Sequence, residues 1–567
     1  MPRCPPGPAV AALLLLLLPR CEALSGGGPS GADLAALEAH PPKRYIFQQR
    51  VDHFRPGHAA AFSQRYFVYD EFFKKGGGAG PILLYLGGEG QLESFYNITS
   101  VLFSSIGPAL GGLVVFVEHR DYGKSPVVKR SGDLKEDLRF LTVDQALADF
   151  ALFIRSFKRS RSAGCRPDAP VFLFGGSYGG MLVAWFRIKY PHLSSGGVIS
   201  SGPVSYNVGG PHSLSPERRL WDVVAHTYRR MGGSPCVAAL ERGLAELAEA
   251  ADLNPQEMRR TFGTCTAPAD AGAMKRALSL YIRGAAATLA MVNYPYAHTL
   301  VTPLPALPVG SVCERFLAPA AASARREELF AALNATVNFY VGQDLPCKDV
   351  ERELVVFSGR ARGLQVQAQP RSGDDVMQME HWNFQACAEI PLQGLTTDFL
   401  AFYPPQDLGE QLAACQSRYG VRADAADAGL DSLSLRYGLG VDEAGHSPES
   451  ALERSGLTRV VVVDGEFDPW NAGRLTPPQD CAPLSDEAAG PGLAALAACR
   501  DARRDVVFIP PVRDAAHHQD LVSERAEDSD ALRAARALIL EQLRAWATGP
   551  GRAEQALPQA GDLGTFV

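Results

Sequence analysis

Short, unbroken apolar runs that each stop at a glycine or a charged residue recur along the chain, and they constrain the fold more than any other feature. Pro81-Ile82-Leu83-Leu84-Tyr85-Leu86 stops at Gly87-Gly88, Leu113-Val114-Val115-Phe116-Val117 at Glu118, and Val171-Phe172-Leu173-Phe174 at Gly175-Gly176. A strand covered on one face alternates apolar and polar residues, whereas a strand covered by helices on both faces is apolar throughout. The runs therefore predict buried parallel strands joined by helices, with the segment from Leu141 to Phe157 as one such cover. An α/β class follows.

The pattern lapses from about Ser205 to Gly456. In that region the signals are helix starts: Ser215-Pro216, Ser234-Pro235 and Asn254-Pro255 each set a capping side chain before a proline whose missing N–H is harmless in a first turn. Arg459-Val460-Val461-Val462-Val463 and Asp505-Val506-Val507-Phe508-Ile509 then restore the strands, and Ser529 to Trp546 reads as an amphipathic closing helix. The expected organisation is a signal peptide over 1–23, a sheet-forming part over 45–204, a mainly helical insertion over 205–456, a second sheet-forming part over 457–548 and a flexible tail over 549–567.

The leader carries Arg3, an apolar run from Ala9 to Leu18 and Cys21-Glu22-Ala23, a pattern compatible with signal-peptidase cleavage. The run is too short to span a bilayer, and no later stretch is long enough, so no stable membrane anchor is expected; a retained signal anchor is the alternative. Cleavage would remove Cys4 and Cys21 of the 11 cysteines and leave those at 165, 236, 265, 313, 347, 387, 415, 481 and 499. They form no CxxC pair, which fits structural disulfides in an oxidising compartment, with an odd one left over. Asn97-Ile98-Thr99 and Asn334-Ala335-Thr336 are glycosylation acceptors in such a setting. With 46% hydrophobic and 21% charged residues the chain is globular, and a net charge of −7 without a basic block excludes nucleic acid as a partner.

The chemistry gathers at strand ends. Gly175-Gly176-Ser177-Tyr178-Gly179 matches G-x-S-x-G between a strand and a helical segment, the context of a nucleophile elbow that pushes Ser177 Oγ into the open. The helix start, with the Tyr178 N–H, and Gly88 on the loop after the first apolar run are the expected oxyanion donors. A serine hydroxyl needs a base, and the base an orienting acid, in the chain order Ser, acid, His. Asp464, Glu466 and Asp468 all follow the valine strand, and His517 or His518 could supply the ring. No HExxH or similar ligand set accompanies the histidines, so neither a metal nor a cofactor is expected.

These motifs resemble the serine carboxypeptidase family that contains lysosomal Pro-X carboxypeptidase, dipeptidyl peptidase II and thymus-specific serine protease. The resemblance runs from Gln48-Gln49-Arg50-Val51-Asp52-His53-Phe54 and Gln64-Arg65-Tyr66 through Gly87-Gly88-Glu89-Gly90, Glu118-His119-Arg120-Asp121-Tyr122-Gly123 and Gly175 to Leu182. It continues at Gln385-Ala386-Cys387-Ala388-Glu389, Asp468-Pro469-Trp470 and Ala516-His517-His518-Gln519-Asp520. It implies an α/β-hydrolase fold with the helical insertion over the site, a triad of Ser177, Asp468 and His517, and cleavage of peptides at proline. Met181 and Trp470 would wall an apolar pocket for the pyrrolidine ring, though plain core packing is the commoner role of either residue. The resemblance pairs Cys236 with Cys313, Cys265 with Cys347 and Cys387 with Cys415, leaving Cys165 free.

Two departures stand out. Asp121 replaces the family's aromatic residue, and the long segment between Asp468 and His517 carries Cys481 and Cys499, which suggests a disulfide-closed loop near the site. Glu118 and Arg120 are expected to form a structural ion pair with each other, and Glu89 is given no role. The expected partners are peptide substrates, with a homodimer allowed, and the expected location is the secretory pathway, in a lysosome-like acidic compartment or outside the cell. Removal of a C-terminal residue after proline and removal of an N-terminal dipeptide both stay open. A triad does not fix the acyl group, so a lipase or esterase is the alternative enzyme, and a catalytically silent binding protein on the same fold is the alternative outside enzymes.

Overall fold

The apolar runs become the interior of one ten-stranded sheet, ordered β1-β2-β4-β3-β5-β6-β7-β10-β9-β8. The strands are β1 (Lys43–Arg50), β2 (Ala61–Tyr69), β3 (Ile82–Leu86), β4 (Leu113–Val117), β5 (Val171–Gly176), β6 (Gly196–Ser200), β7 (Val460–Val463), β8 (Ala482–Pro483), β9 (Cys499–Asp501) and β10 (Val506–Phe508). The computed structural model describes residues 41–548 apart from 130, 161–163, 206–215, 268–269, 301, 323–324, 343–346, 349, 351–372, 391–414, 421–435, 439–451, 453, 479 and 485–495. The segments expected as signal peptide and tail, and Ser215, lie outside the described residues.

The run β4-β3-β5-β6-β7-β10 is parallel throughout, and β2 with β1 at one edge and β9 with β8 at the other are antiparallel additions. Alternate residues of each central strand enter different cores. Leu84, Leu86, Val115, Val117 and Leu173 pack with the helix Val143–Ser160 and the helix Tyr178–Lys189. Leu83, Tyr85, Val114, Phe116, Phe172 and Phe174 pack on the other face with Leu102, Ile106 and the closing helix Asp530–Thr548. Both faces are covered, which is why these strands carry no polar alternation. This is an α/β-hydrolase fold.

Five strands escaped the apolar-run criterion: β1, β2 and β6, and the short edge strands β8 and β9. β1 is largely exposed and pairs only with β2, so it is written in Lys, Arg and Gln, and β2 alternates polar and apolar residues; the strand at Ile82 is therefore third rather than first. β6 opens on two glycines because nothing larger fits: a Cβ on Gly196 would sit 2.5 Å from Trp546 Cε3, and one on Gly197 2.7 Å from Val183 Cγ1.

The insertion packs in two places. The helices Pro216–Glu249, Pro255–Phe262, Ala271–Met291 and Arg326–Val341 share one apolar core, tied by Cys236–Cys313 and Cys265–Cys347. Asn254 caps its helix by accepting the Glu257 N–H at 2.9 Å, and the long helix breaks at Gly233 (φ 71°), so that Ser234-Pro235 opens its second segment. The helix Gly373–Ala388, by contrast, packs against the sheet-bearing body: Phe384 and Tyr419 cluster with Tyr122, Leu138 and Leu141, and Cys387–Cys415 closes that unit. The extra segment before His517 extends the sheet, with Pro483 opposite Cys499 and the Cys481–Cys499 disulfide beside them. Cys165 is buried and free. Among the described residues no helix is long and apolar enough to cross a membrane.

The close approach at β6 yields a stability test. Gly196→Ala forces a methyl group into the Trp546 ring and should cost about 1–3 kcal/mol, read as a lower urea midpoint. An unchanged midpoint would show that the closing helix can slide away freely.

Candidate active site

β5 ends in a turn that only small residues allow. A Cβ on Gly175 would lie 2.1 Å from Gly179 O, and one on Gly179 3.0 Å from Leu86 O, so strand, turn and helix are in backbone contact. Between them Ser177 holds φ 57° and ψ −126°, a region that side chains other than glycine rarely occupy and that persists only when its surroundings enforce it. Here the Ser177 N–H donates to Ser200 O at 3.0 Å, and the Met181 N–H donates to Ser177 O at 3.1 Å. The loop after β3 arrives at the same point: a Cβ on Gly88 would be 3.4 Å from Gly179 N and 3.8 Å from Tyr178 Cδ1. Ser177, Tyr178 and Gly88 are thus brought together at a helix N-terminus, where unpaired N–H groups attract negative charge.

The valine strand β7 delivers three acids to one edge, and their surroundings separate them. Asp468 is fully buried; its Oδ1 accepts the Trp470 N–H at 3.0 Å and its Oδ2 lies 2.8 Å from His517 Nδ1. Glu466 turns away to accept the Asp514 N–H and to meet His226 Nε2, each at 2.8 Å. Asp464 is buried with neither oxygen hydrogen-bonded among the described residues, and burial pushes its carboxyl well above the usual range. A carboxylate on Nδ1 fixes the imidazole tautomer in which Nε2 is free to accept a proton.

The histidine loop is docked from both sides. The insertion holds the His517 backbone, whose N–H donates to Met291 O at 3.0 Å and whose carbonyl accepts the Tyr294 hydroxyl at 2.7 Å. His518 donates its N–H to Ser201 Oγ at 2.7 Å, and its Cδ2 lies 3.1 Å from where a Cβ on Gly176 would be. The residue before Ser177 therefore abuts the residue after His517. The half-buried His518 ring is pushed well below the ordinary histidine value by desolvation and by the neighbouring His517.

The other expected residues fall out as follows. Trp470 is half-buried and packs against the helical core, while Met181, 1% exposed, lies in the same core cluster as Tyr178 and Trp185. Asn97 is exposed on the helix Leu92–Ile98, and Asn334 is half-buried, its Oδ1 accepting from Lys348 Nζ at 2.8 Å. The ion pair expected between Glu118 and Arg120 does not form. Glu118 instead accepts from Arg65 on β2 at 2.6 and 2.9 Å, and Arg120 donates to Asp149 on the covering helix at 2.6 and 2.7 Å, because each buried charge finds its partner on a different element. Asp121, the departure from the family motif, holds φ 63° and accepts the Val127 N–H at 2.9 Å. Met291 and Tyr294 went unread, since no motif marks a residue that acts through a backbone contact, and Asp520 was quoted within a motif without a role. Asp520 Oδ1 accepts from Ser200 Oγ at 2.6 Å, and burial raises its carboxyl to about 6.

Comparison with known proteins matches residues 49–484 to the family described as Serine carboxypeptidase S28. The chain is 29% identical over 522 residues to "Lysosomal Pro-X carboxypeptidase" of Homo sapiens, covering 88% of this chain and 87% of that one. It is 30% identical over 525 residues to the protein of that name in Bos taurus, covering 89% and 87%. With "Thymus-specific serine protease" of Homo sapiens the identity is 27% over 527 residues, covering 91% and 89%.

Asp520 gives a pH-dependent prediction. Its folded value near 6 exceeds the ordinary 3.8, so the folded chain holds the proton more tightly; the stability this contributes is full at low pH and is lost as pH rises through about 6. Asp520→Asn keeps an acceptor for Ser200 and should gain on the wild type progressively across that interval. Urea midpoints measured from about pH 4 to pH 7 check it; a constant difference would mean that Asp520 titrates as an ordinary carboxyl.

Proposed function

The chain belongs to the serine carboxypeptidase S28 family and is a serine-type peptidase, and from that premise we propose that Ser177, Asp468 and His517 are its triad and that it is an exopeptidase cleaving on the carboxyl side of proline. The observation that carries the reading is the buried 2.8 Å contact of Asp468 Oδ2 with His517 Nδ1, on a loop docked against the Ser177 turn. Asp468 accepts a hydrogen bond from the Nδ1–H, which holds that proton on the ring and keeps Nε2 basic. Nε2 takes the Ser177 proton as Oγ attacks the scissile carbonyl carbon, and the N–H groups of Tyr178 and Gly88 receive the oxyanion. The imidazolium then protonates the departing amine, and water, deprotonated by the same ring, releases the acyl group.

Trp470 and Met181 are assigned to the wall of the proline pocket. The Trp470 N–H is tied to the Asp468 carboxylate, so the ring is set by the same hydrogen bond that helps to orient the acid. The names of the relatives support proline specificity, and a signal-like leader, disulfides and lysosomal relatives support a secretory route to an acidic compartment.

Two tests follow. Ser177→Ala should abolish turnover and fluorophosphonate labelling; Asp468→Asn and His517→Ala should each lower kcat by several orders of magnitude, and His518→Ala by far less. Labelling that persists in Ser177→Ala, or a heavier loss at His518 than at His517, would overturn the assignment. Trp470→Ala should reduce selectivity for proline over larger residues by roughly ten- to two-hundred-fold in kcat/KM, measured on matched Pro-X and X-Pro peptides. A wild type without proline preference would refute the specificity.

A further inference from the structure

Tyr178 follows Ser177 directly, and its side chain points away from the site into a closed hydrogen-bond chain. His119 Nδ1 lies 2.7 Å from Arg120 O, His119 Nε2 3.1 Å from the Tyr178 hydroxyl, Gln385 Nε2 3.0 Å from the same hydroxyl, and Gln385 Oε1 2.5 Å from the Tyr122 hydroxyl. The polarity is fixed along its length. A carbonyl only accepts, so His119 Nδ1 carries the proton and Nε2 must accept from the Tyr178 O–H; the Tyr178 oxygen then accepts from the Gln385 amide, whose carbonyl accepts from Tyr122. Each hydrogen bond of the chain thus joins one donor to one acceptor. His119, Tyr122, Tyr178 and Gln385 are all at most 1% exposed, and burial holds His119 down to about 4, so its ring stays neutral and accepting.

The chain spans three separate parts of the sequence. His119 and Tyr122 follow β4, Tyr178 opens the helix after the elbow, and Gln385 comes from the insertion. Gln385 is itself anchored: Glu389, one turn on, accepts the Val143 N–H at 2.6 Å and an Arg436 N–H at 3.0 Å, and Cys387 is bonded to Cys415. The Tyr178 ring also meets Trp382 from the same helix at 5.4 Å between centroids. A backbone held at φ 57° needs such external restraint, and the first side chain beyond it is where restraint acts most directly.

Resting on the triad reading above, we propose that Gln385 is a positioning residue for catalysis: through the Tyr178 hydroxyl it fixes the first turn of the helix and so aims the Tyr178 N–H at the oxyanion. The insertion then completes the catalytic centre rather than merely covering it. Loosening one oxyanion donor costs less than deleting it, which is worth about a hundred- to a thousandfold in kcat.

The test compares Gln385→Leu, which can neither donate nor accept, with Gln385→Glu, which donates to Tyr178 only while protonated. Active sites are counted by fluorophosphonate titration, so that misfolded protein lowers the count and not kcat per site. Gln385→Leu should lower kcat per site by about ten- to a hundredfold with KM nearly unchanged. Gln385→Glu should approach wild-type kcat at acidic pH and fall behind it as pH rises, a profile that a purely structural role would not produce. Wild-type kcat per site in both variants would overturn the inference. If Gln385→Leu gives no titratable protein, Tyr122→Phe decides, with a several-fold loss of kcat expected and an unchanged kcat overturning. Label on a serine other than Ser177 in the wild type would remove the triad reading and this inference with it, whereas labelled Ser177 with unaffected variants removes this inference alone.

Discussion

Ser177 at φ 57° is the constraint around which the molecule is arranged. A serine does not hold that conformation on its own, so the neighbouring elements must enforce it. β6 accepts its N–H through Ser200, glycines at 175 and 179 let strand and helix backbones touch, and the helix it starts is buried along most of its length between the sheet and the covering layer. The two-sided burial of the parallel sheet provides the rigidity. The strain is local, and the restraint is spread over elements distant in sequence.

Much of this was legible because a buried parallel strand has a simple signature. β3, β4, β5, β7 and β10 are continuous apolar runs in the sequence and in the structure. β1 and β2 were invisible to that rule because their exposed face needs polar residues, and β6 because glycines admit Trp546 and Val183 where side chains would collide. At the site, the spacing left three acids and two histidines open; motif resemblance chose Asp468 and His517, and these are the two that stand 2.8 Å apart. What stayed unread acts at long range. Gln385 and Tyr122 are 263 positions apart, and Tyr294 and His517 223, and no local pattern announces contacts of that span.

The insertion has a double attachment that explains its position in the chain. Its first part grips the His517 loop through Met291 and Tyr294, and its last part grips the Ser177 turn through Gln385. Ser177 and His517 follow different strands of one sheet, and the sheet alone fixes only where their loops begin. Contacts from outside the sheet set where the loops end, and two attachments on one inserted segment couple the ends to each other.

The buried titratable groups oppose one another in pH. Burial raises the carboxyls of Glu89, Asp464 and Asp520, the last to about 6. Burial lowers the imidazoles of His119 and His298 to about 4 and pushes that of His518 well below the ordinary histidine value. A raised carboxyl contributes stability at low pH that is lost as pH rises through its folded value. A lowered histidine contributes stability above its unfolded value, near 6.5, that is lost as pH falls toward its folded value. Asp520 and His119 therefore act over nearly the same interval, about pH 4 to pH 6, with opposite slopes. Proton uptake by folded and unfolded chains is partly balanced there, so stability changes less with pH than either set alone would allow. Below that interval the balance ends, because Glu93, held near 2 by its bond to Arg65, begins to lose its ion pair as protons bind. The same burial that builds the site therefore also flattens the dependence of stability on pH across that interval.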